Sequence, residues 1–148
     1  MWLFLACTPP PPLQPPDILW MVLDTVSAEH LALYGGRVSM PHLERLASES
    51  IVFTQAYSHF PMTPEEHWVM LTGLLPEPHL MLQRGSPWMG KTLPEVLQQK
   101  GWATAAFVSG LTMTNNIVHL KKSFSYYDEN WDFQKQDCRP SALTVAAA

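Results

Sequence analysis

Charge and cysteine are both scarce in this chain. Charged residues make up 15% of its 148 positions, and its two cysteines are Cys7 and Cys138. A bridge between a leader and a distant loop is not expected, so cysteine usage does not settle the compartment. The net charge is −4 and no basic cluster exceeds the pair Lys121-Lys122, which removes nucleic acid from the expected partners. The apolar start, Trp2 to Ala6, falls far short of the ~20 residues that span a bilayer. No two histidines have the His-x-x-x-His spacing of a helical zinc pair, and there is no internal repeat. What remains is 47% apolar, a globular composition whose length suits one domain.

Proline is abundant but local. Six of the 14 prolines lie between Pro9 and Pro16, marking residues 1–16 as a short leader and Pro-rich linker, and residues 17–148 as the folding part. Leu3-Phe-Leu-Ala-Cys7 resembles the cleavage end of a bacterial lipoprotein signal, in which the cysteine takes the lipid. On that reading the protein is extracytoplasmic, tethered to a membrane through Cys7, with the proline stretch as an extended spacer. The plainer reading is a disordered tail that contains a cysteine.

After the linker, strand and helix signals alternate. Ile18–Leu23 is an unbroken apolar run of strand length, suited to a strand buried on both faces. Ser27–Gly36 reads as a short turn or helix closed by Gly35-Gly36. Met40–Glu49 reads as a helix capped by Ser39, with Pro41 in its first turn and Leu43, Leu46 and Ala47 on one face. Ile51–Tyr57 alternates as a second strand. Pro64–Leu71 is a second helix stopped by Gly73. Thr92–Lys100 is a third, with Thr92 and Glu95 at capping-box spacing, Leu93, Val96 and Leu97 facing inward, and Gly101 past its end. Trp102–Val108 is a third strand. This order predicts an α/β fold with right-handed crossovers and a mainly parallel sheet. Asp128, Glu129 and Asp132 read as a solvated acidic loop. The tryptophans form no stripe and read as core or rim packing. Pro140 to Ala148 begins like a helix and stops without a cap, so the chain is expected to be a fragment of a longer protein.

Two places carry chemistry. Asp24 ends the first apolar run, where open α/β sheets place their ligands; it serves equally as a cap for the next turn. In Pro61-Met-Thr63-Pro64-Glu65-Glu66-His67, Thr63 stands at a helix N-cap position with Glu66 three residues on, a capping box that needs no function to explain it. The same geometry aims free backbone N–H groups and the positive dipole end at the hydroxyl, which favours an alkoxide or a bound oxyanion. His67 lies one turn along that face.

These segments together resemble the opening of the sulfatases of the alkaline-phosphatase-like superfamily. Asp17-Ile-Leu-Trp-Met-Val-Leu-Asp24-Thr25 is similar to the family's P-N-I-L-L-I-x-L-D-T, and Met40-Pro-His-Leu-Glu-Arg-Leu-Ala47 to T-P-N-L-D-R-L-A. Ile51-Val-Phe-Thr-Gln-Ala-Tyr57 is similar to V-x-F-x-N-A-Y. Leu71-Thr-Gly73, Thr92–Leu97 and Gly101–Ser109 fit its later segments, so the match runs from about Asp17 to Tyr127. The resemblance implies a three-layer α/β/α sandwich, here incomplete at its C-terminus. It implies a metal-dependent hydrolase of small-molecule or glycan sulfate or phosphate esters. Asp24 falls on the first metal ligand, for calcium foremost, with manganese or zinc as alternatives. Thr63 falls on the nucleophile of C-x-P-S-R-x-x-x-L-T-G, and His67 on its arginine, a substrate contact.

The departures from that pattern matter as much. Thr63 is neither the cysteine nor the serine that becomes formylglycine, so hydrolysis through a gem-diol is excluded. Glu65 and Glu66 replace Pro-Ser and repel an anion. Thr25 replaces the second aspartate of an Asp-Asp pair. Ser109-Gly110-Leu111 stand where G-K-W-H-x-G would contact sulfate, and the remaining metal ligands belong to a part of the family's domain that this chain lacks. The expectation is that the chain alone is inactive. Two other readings stay open: a non-catalytic relic serving as a binding module, and a phosphotransferase working through a phosphothreonine.

Overall fold

The computed structural model describes residues 15–75 and 90–130. Cys7, His79, Asp132 and Cys138, and with them the expected lipid tether and the C-terminal helix start, lie outside the described residues. The chain divides into two compact units, Met1–Ser50 and Ile51–Ala148. Among the described residues no helix is long and apolar enough to cross a membrane.

In the first unit the predicted strand Ile18–Leu23 does not form. All six side chains are exposed, Leu19 by 87%. An extended segment becomes a strand only when a neighbour takes up its N–H and C=O groups, and among the described residues no ladder reaches this run. Asp24 and Thr25 form a turn, and Thr25 has φ 58°, the left-handed region that a β-branched residue rarely occupies.

The Ser27–Gly36 expectation is met by two 3-10 turns, Ala28–His30 and Ala32–Tyr34. Gly35 follows at φ 89°. Gly36 packs so closely that a Cβ there would stand 2.2 Å from the carbonyl carbon of His30. That approach lets Val38 N donate to His30 O and Ala32 N to Val38 O, each 2.8 Å. Helix α1, Pro41–Ser48, forms as predicted, but Ser39 does not cap it. Met40 is the cap, and Glu44 reaches back: its Oε1 accepts from Met40 N at 2.9 Å and from Ser39 Oγ at 3.0 Å. The glutamate carboxylate takes up the free N–H of the cap residue itself. Leu43 and Ala47 are half-buried, whereas Leu46 is exposed.

The second unit holds the core. Ile51–Tyr57, predicted as a strand, is irregular, with Ile51 83% and Tyr57 79% exposed. Helix α2, Thr63–Thr72, ends at Gly73 in the left-handed conformation. Helix α3, Leu93–Gln99, carries the predicted capping box in full, with Thr92 as cap and Glu95 returning the bond, an arrangement worth ~1 kcal/mol. Of its expected inward face, Val96 and Leu97 are half-buried and Leu93 is exposed.

Strand β1, Ala105–Phe107, pairs in parallel with β2, Tyr126–Asp128, in the register Ala105↔Tyr126, Ala106↔Tyr127 and Phe107↔Asp128. The crossover between them carries a 3-10 turn Leu111–Met113, the short helix α4, Asn115–Val118, and a second turn, Lys121–Ser123. A parallel pair requires such a long return, so the parallel prediction holds for this pair. Among the described residues the sheet has these two strands, and no complete sandwich is present.

Trp68, Val118, Leu120 and Tyr127 form the core, with Leu71, Ala106, Val108, Met113 and Phe124 against it. Trp68 Nε1 donates to Val118 O at 2.8 Å, and the Tyr127 hydroxyl donates to Met113 O. Burial, and secondarily the charge of Glu129, raises the Tyr127 phenol above its ordinary pKa.

The acidic loop is corrected here. Asp128 belongs to β2 and is 8% exposed. Glu129 Oε2 accepts from Asn115 N at 2.7 Å at the start of α4, and its Oε1 meets Lys121 Nζ at 3.2 Å. A carboxylate that answers a helix's free N–H is fixed by tertiary structure, not solvated.

The start of helix α2 as a candidate functional site

Helix α2 opens with its chemistry in one turn. Pro64 sits in the first turn, where its missing N–H costs nothing and its fixed φ suits the helix. Thr63 is already helical; Met62 stands at the cap position and makes no side-chain cap bond. The helix therefore begins one residue before the expected Pro64, with Met62 and not Thr63 at the cap. Glu66 N bonds to Met62 O at 3.0 Å. Its Oε2 reaches back beyond the helix to accept from His59 N at 3.1 Å and Phe60 N at 2.9 Å. This ties the loop before the helix to the helix's own first turn. Ser58 Oγ adds a bond to Phe60 O at 2.9 Å. A glutamate at this position is thus a loop clamp, answering N–H groups six and seven residues back where a capping box answers one three residues back.

Thr63 and His67 are brought together as expected of residues four apart on a helix. His67 Nδ1 lies 2.7 Å from Thr63 O. A carbonyl oxygen only accepts, so Nδ1 is the donor and Nε2 is left to face outward from the helix turn. Both residues are half-buried, open enough to meet a ligand. Immediately behind them Trp68 and Val69 are buried, which anchors this turn to the core. At the far end Thr72 Oγ1 donates to Trp68 O at 2.6 Å and accepts from Leu74 N at 3.3 Å. The Leu71-Thr72-Gly73 match is thereby a helix stop.

The electrostatics of this turn are mixed. The helix N-terminus carries roughly +0.5 of a charge, and Glu65 and Glu66 oppose it. One oxygen of Glu65, Oε2, is buried with no hydrogen-bond partner among the described residues.

Asp24 belongs to the first unit, on an exposed turn. Among the described residues no three of His, Cys, Asp and Glu come together as a metal could use them. A hard divalent cation takes about six to eight oxygen ligands, and one carboxylate on an exposed turn is not such a set. The donors described here do not fit a self-sufficient cation site. The scattered histidines His30, His42 and His59 join no such group either, and His119 caps α4 at φ 55°.

Comparison with known proteins places these features. A family model described as Sulfatase matches residues 16–145. The chain is 29% identical to an N-acetylglucosamine-6-O-sulfatase of Bacteroides thetaiotaomicron over 93 residues, 61% of this chain and 17% of that protein. It is 28% identical to the steryl-sulfatase of Mus musculus over 153 residues, 89% of this chain and 24% of that protein. It is 36% identical to an N-acetylgalactosamine-6-sulfatase of Homo sapiens over 64 residues, 43% of this chain and 12% of that protein. The chain thus spans less than a quarter of the length of each of these relatives. No solved structure matches it significantly.

Proposed function

The chain belongs to the sulfatase family, and we propose that it supplies the nucleophile-bearing part of a site for sulfate or phosphate esters of small molecules or glycans, a part that does not turn over substrate by itself. Thr63 is the proposed nucleophile, His67 the substrate contact and Asp24 a ligand to a divalent cation, calcium before manganese or zinc. In the transfer step the Thr63 oxygen bonds to sulfur or phosphorus, the ester oxygen departs, and His67 Nε2 takes up or returns the proton. A cation, when bound, would supply charge neutralisation at the oxyanion. The observation that supports the reading is the Thr63–His67 pair: the 2.7 Å bond from His67 Nδ1 to Thr63 O fixes the ring one turn from the residue that bears the hydroxyl. The relatives' names support the ester class, since each is a sulfatase.

A second reading, a non-catalytic binding module of the same family, is favoured by Glu65 and Glu66 beside the proposed oxyanion position and by the incomplete donor set. Purified chain is to be incubated with nitrophenyl sulfate and nitrophenyl phosphate, with calcium, manganese or zinc and then with a chelator. No turnover is expected. Turnover that disappears with chelator, or with Thr63→Ala, overturns the inactivity and selects the enzyme reading; covalent phosphate on Thr63 selects a phosphotransferase. The lipid tether through Cys7 is likewise proposed, and mass spectrometry of the membrane fraction checks it.

A further inference from the structure

We propose that the cavity between α3 and the turn Lys121–Ser123 is an oxyanion subsite, taking the sulfate of a sugar; the sugar, though not the anion, rests on the sulfatase reading. The cavity measures about 480 Å³ and is lined by Gly90, Lys91, Glu95, Gln98, Gln99 and Lys122, a size within the usual range of ~300–1,000 Å³ for small-molecule pockets. It lies wholly within the second unit, on residues separate from Thr63 and His67.

Its lining is committed in one direction. Gln98 Nε2 donates to Thr104 Oγ1 at 2.6 Å and to Ser123 O at 3.0 Å. That amide is a fixed wall joining α3 to the turn that carries Lys122. Lys91 Nζ donates to Gln99 Oε1 at 3.2 Å. The partner is neutral, so this bond leaves two N–H groups of the ammonium and both of the Gln99 amide outside it.

Among the described residues the ion pair of the opposite turn is made by Lys121, to Glu129. Lys122 is the lysine of that turn that lines the cavity. Among the described residues Glu95 is the single carboxylate in the lining. Its Oε2 is held at the helix start by Thr92 N at 2.7 Å and Thr92 Oγ1 at 3.1 Å. At the rim, Gly90 has φ 115°, and a Cβ there would meet Leu74 Cδ1 at 2.7 Å, which keeps a side chain out of the mouth. Two ammonium groups from two elements and an amide N–H pair are the donors that recognise an oxyanion. Both lysines are exposed, so the affinity is modest and falls with salt.

The test is NMR titration of the ¹⁵N-labelled full chain at constant ionic strength, with sodium sulfate, N-acetylglucosamine 6-sulfate and unsulfated N-acetylglucosamine as probes. Saturable shifts at the amides of Lys91, Gln99 and Lys122 are expected with both sulfated probes and none with the plain sugar. Lys122→Ala should weaken binding roughly three- to fivefold, while Lys100→Ala, a lysine outside the cavity, should leave it unchanged. Thr63→Ala should also leave it unchanged, so failure of the nucleophile reading does not touch this result. Tighter binding of the sugar sulfate than of sulfate supports the sugar; equal binding keeps the oxyanion site and overturns the sugar. Shifts that do not saturate, or that weaken as much in Lys100→Ala as in Lys122→Ala, overturn the site.

Discussion

Replacing Trp68 by phenylalanine tests whether the helix that bears Thr63 and His67 is held from behind. Trp68 is 1% exposed, as is Val118, whose carbonyl takes the indole N–H at 2.8 Å. Phenylalanine fills most of the volume but has no donor. The carbonyl then loses a partner inside the core, at a cost of about 1–3 kcal/mol. The smaller ring leaves a void that adds ~1 kcal/mol. A total of about 2–4 kcal/mol is a large share of the ~5–15 kcal/mol that holds a domain together. Urea unfolding followed by far-UV circular dichroism reads it. With a slope of ~1–3 kcal/mol per molar, the midpoint should fall by about 1–2 M. Trp20→Phe is the control: Trp20 is 50% exposed, and its change should stay within ~0.5 kcal/mol. If Trp68→Phe moves the midpoint no further than Trp20→Phe at equal slope, the anchoring of α2 through this bond is refuted.

Three further outcomes are expected. The Tyr127 phenol is raised by burial first and by Glu129 second, so the folded state keeps its proton at a pH where the unfolded chain loses it. Stability is therefore fully present below about pH 10 and lost as pH rises beyond it, by ~1.4 kcal/mol per pH unit. Thermal melts from pH 9 to 11 should show this extra slope vanish in Tyr127→Phe. Gly36→Ala would drive a methyl to within 2.4 Å of two carbonyl oxygens and should cost more than ~2 kcal/mol. Gly35→Ala meets open space at φ 89° and should cost only ~1 kcal/mol of backbone strain; hydrogen exchange at Ala32 and Val38 distinguishes the two. Thr92→Ala removes the cap of α3 and should cost ~1 kcal/mol in the same urea assay, with Thr92→Ser restoring most of it.

Much of the helical structure was legible because its causes are local. The spacing of Thr92 and Glu95, the proline in each first turn, and Gly73 and Gly101 after the ends act within four or five residues. The two strands expected at Ile18–Leu23 and Ile51–Tyr57 fail for the opposite reason. Apolar runs say that a segment suits a sheet, not that a ladder is there to receive it. Strand β2 went unread because three residues carry too little pattern to stand out. At the candidate site, the pairing of Thr63 with His67 follows from a four-residue spacing, while the partners of Glu66 do not, since they lie six and seven residues back across a loop.

By itself the sequence determined the helices, their stops and the family, since each rests on the order of residues along a few turns or on matched motifs. Only the tertiary structure decided that Glu129 closes α4 from 14 residues away, that Gln98 joins α3 to Ser123, and that Trp68 meets a carbonyl 50 residues distant. Those bonds depend on which surfaces the chain buries together, and burial is a property of the folded chain that no short window of residues contains.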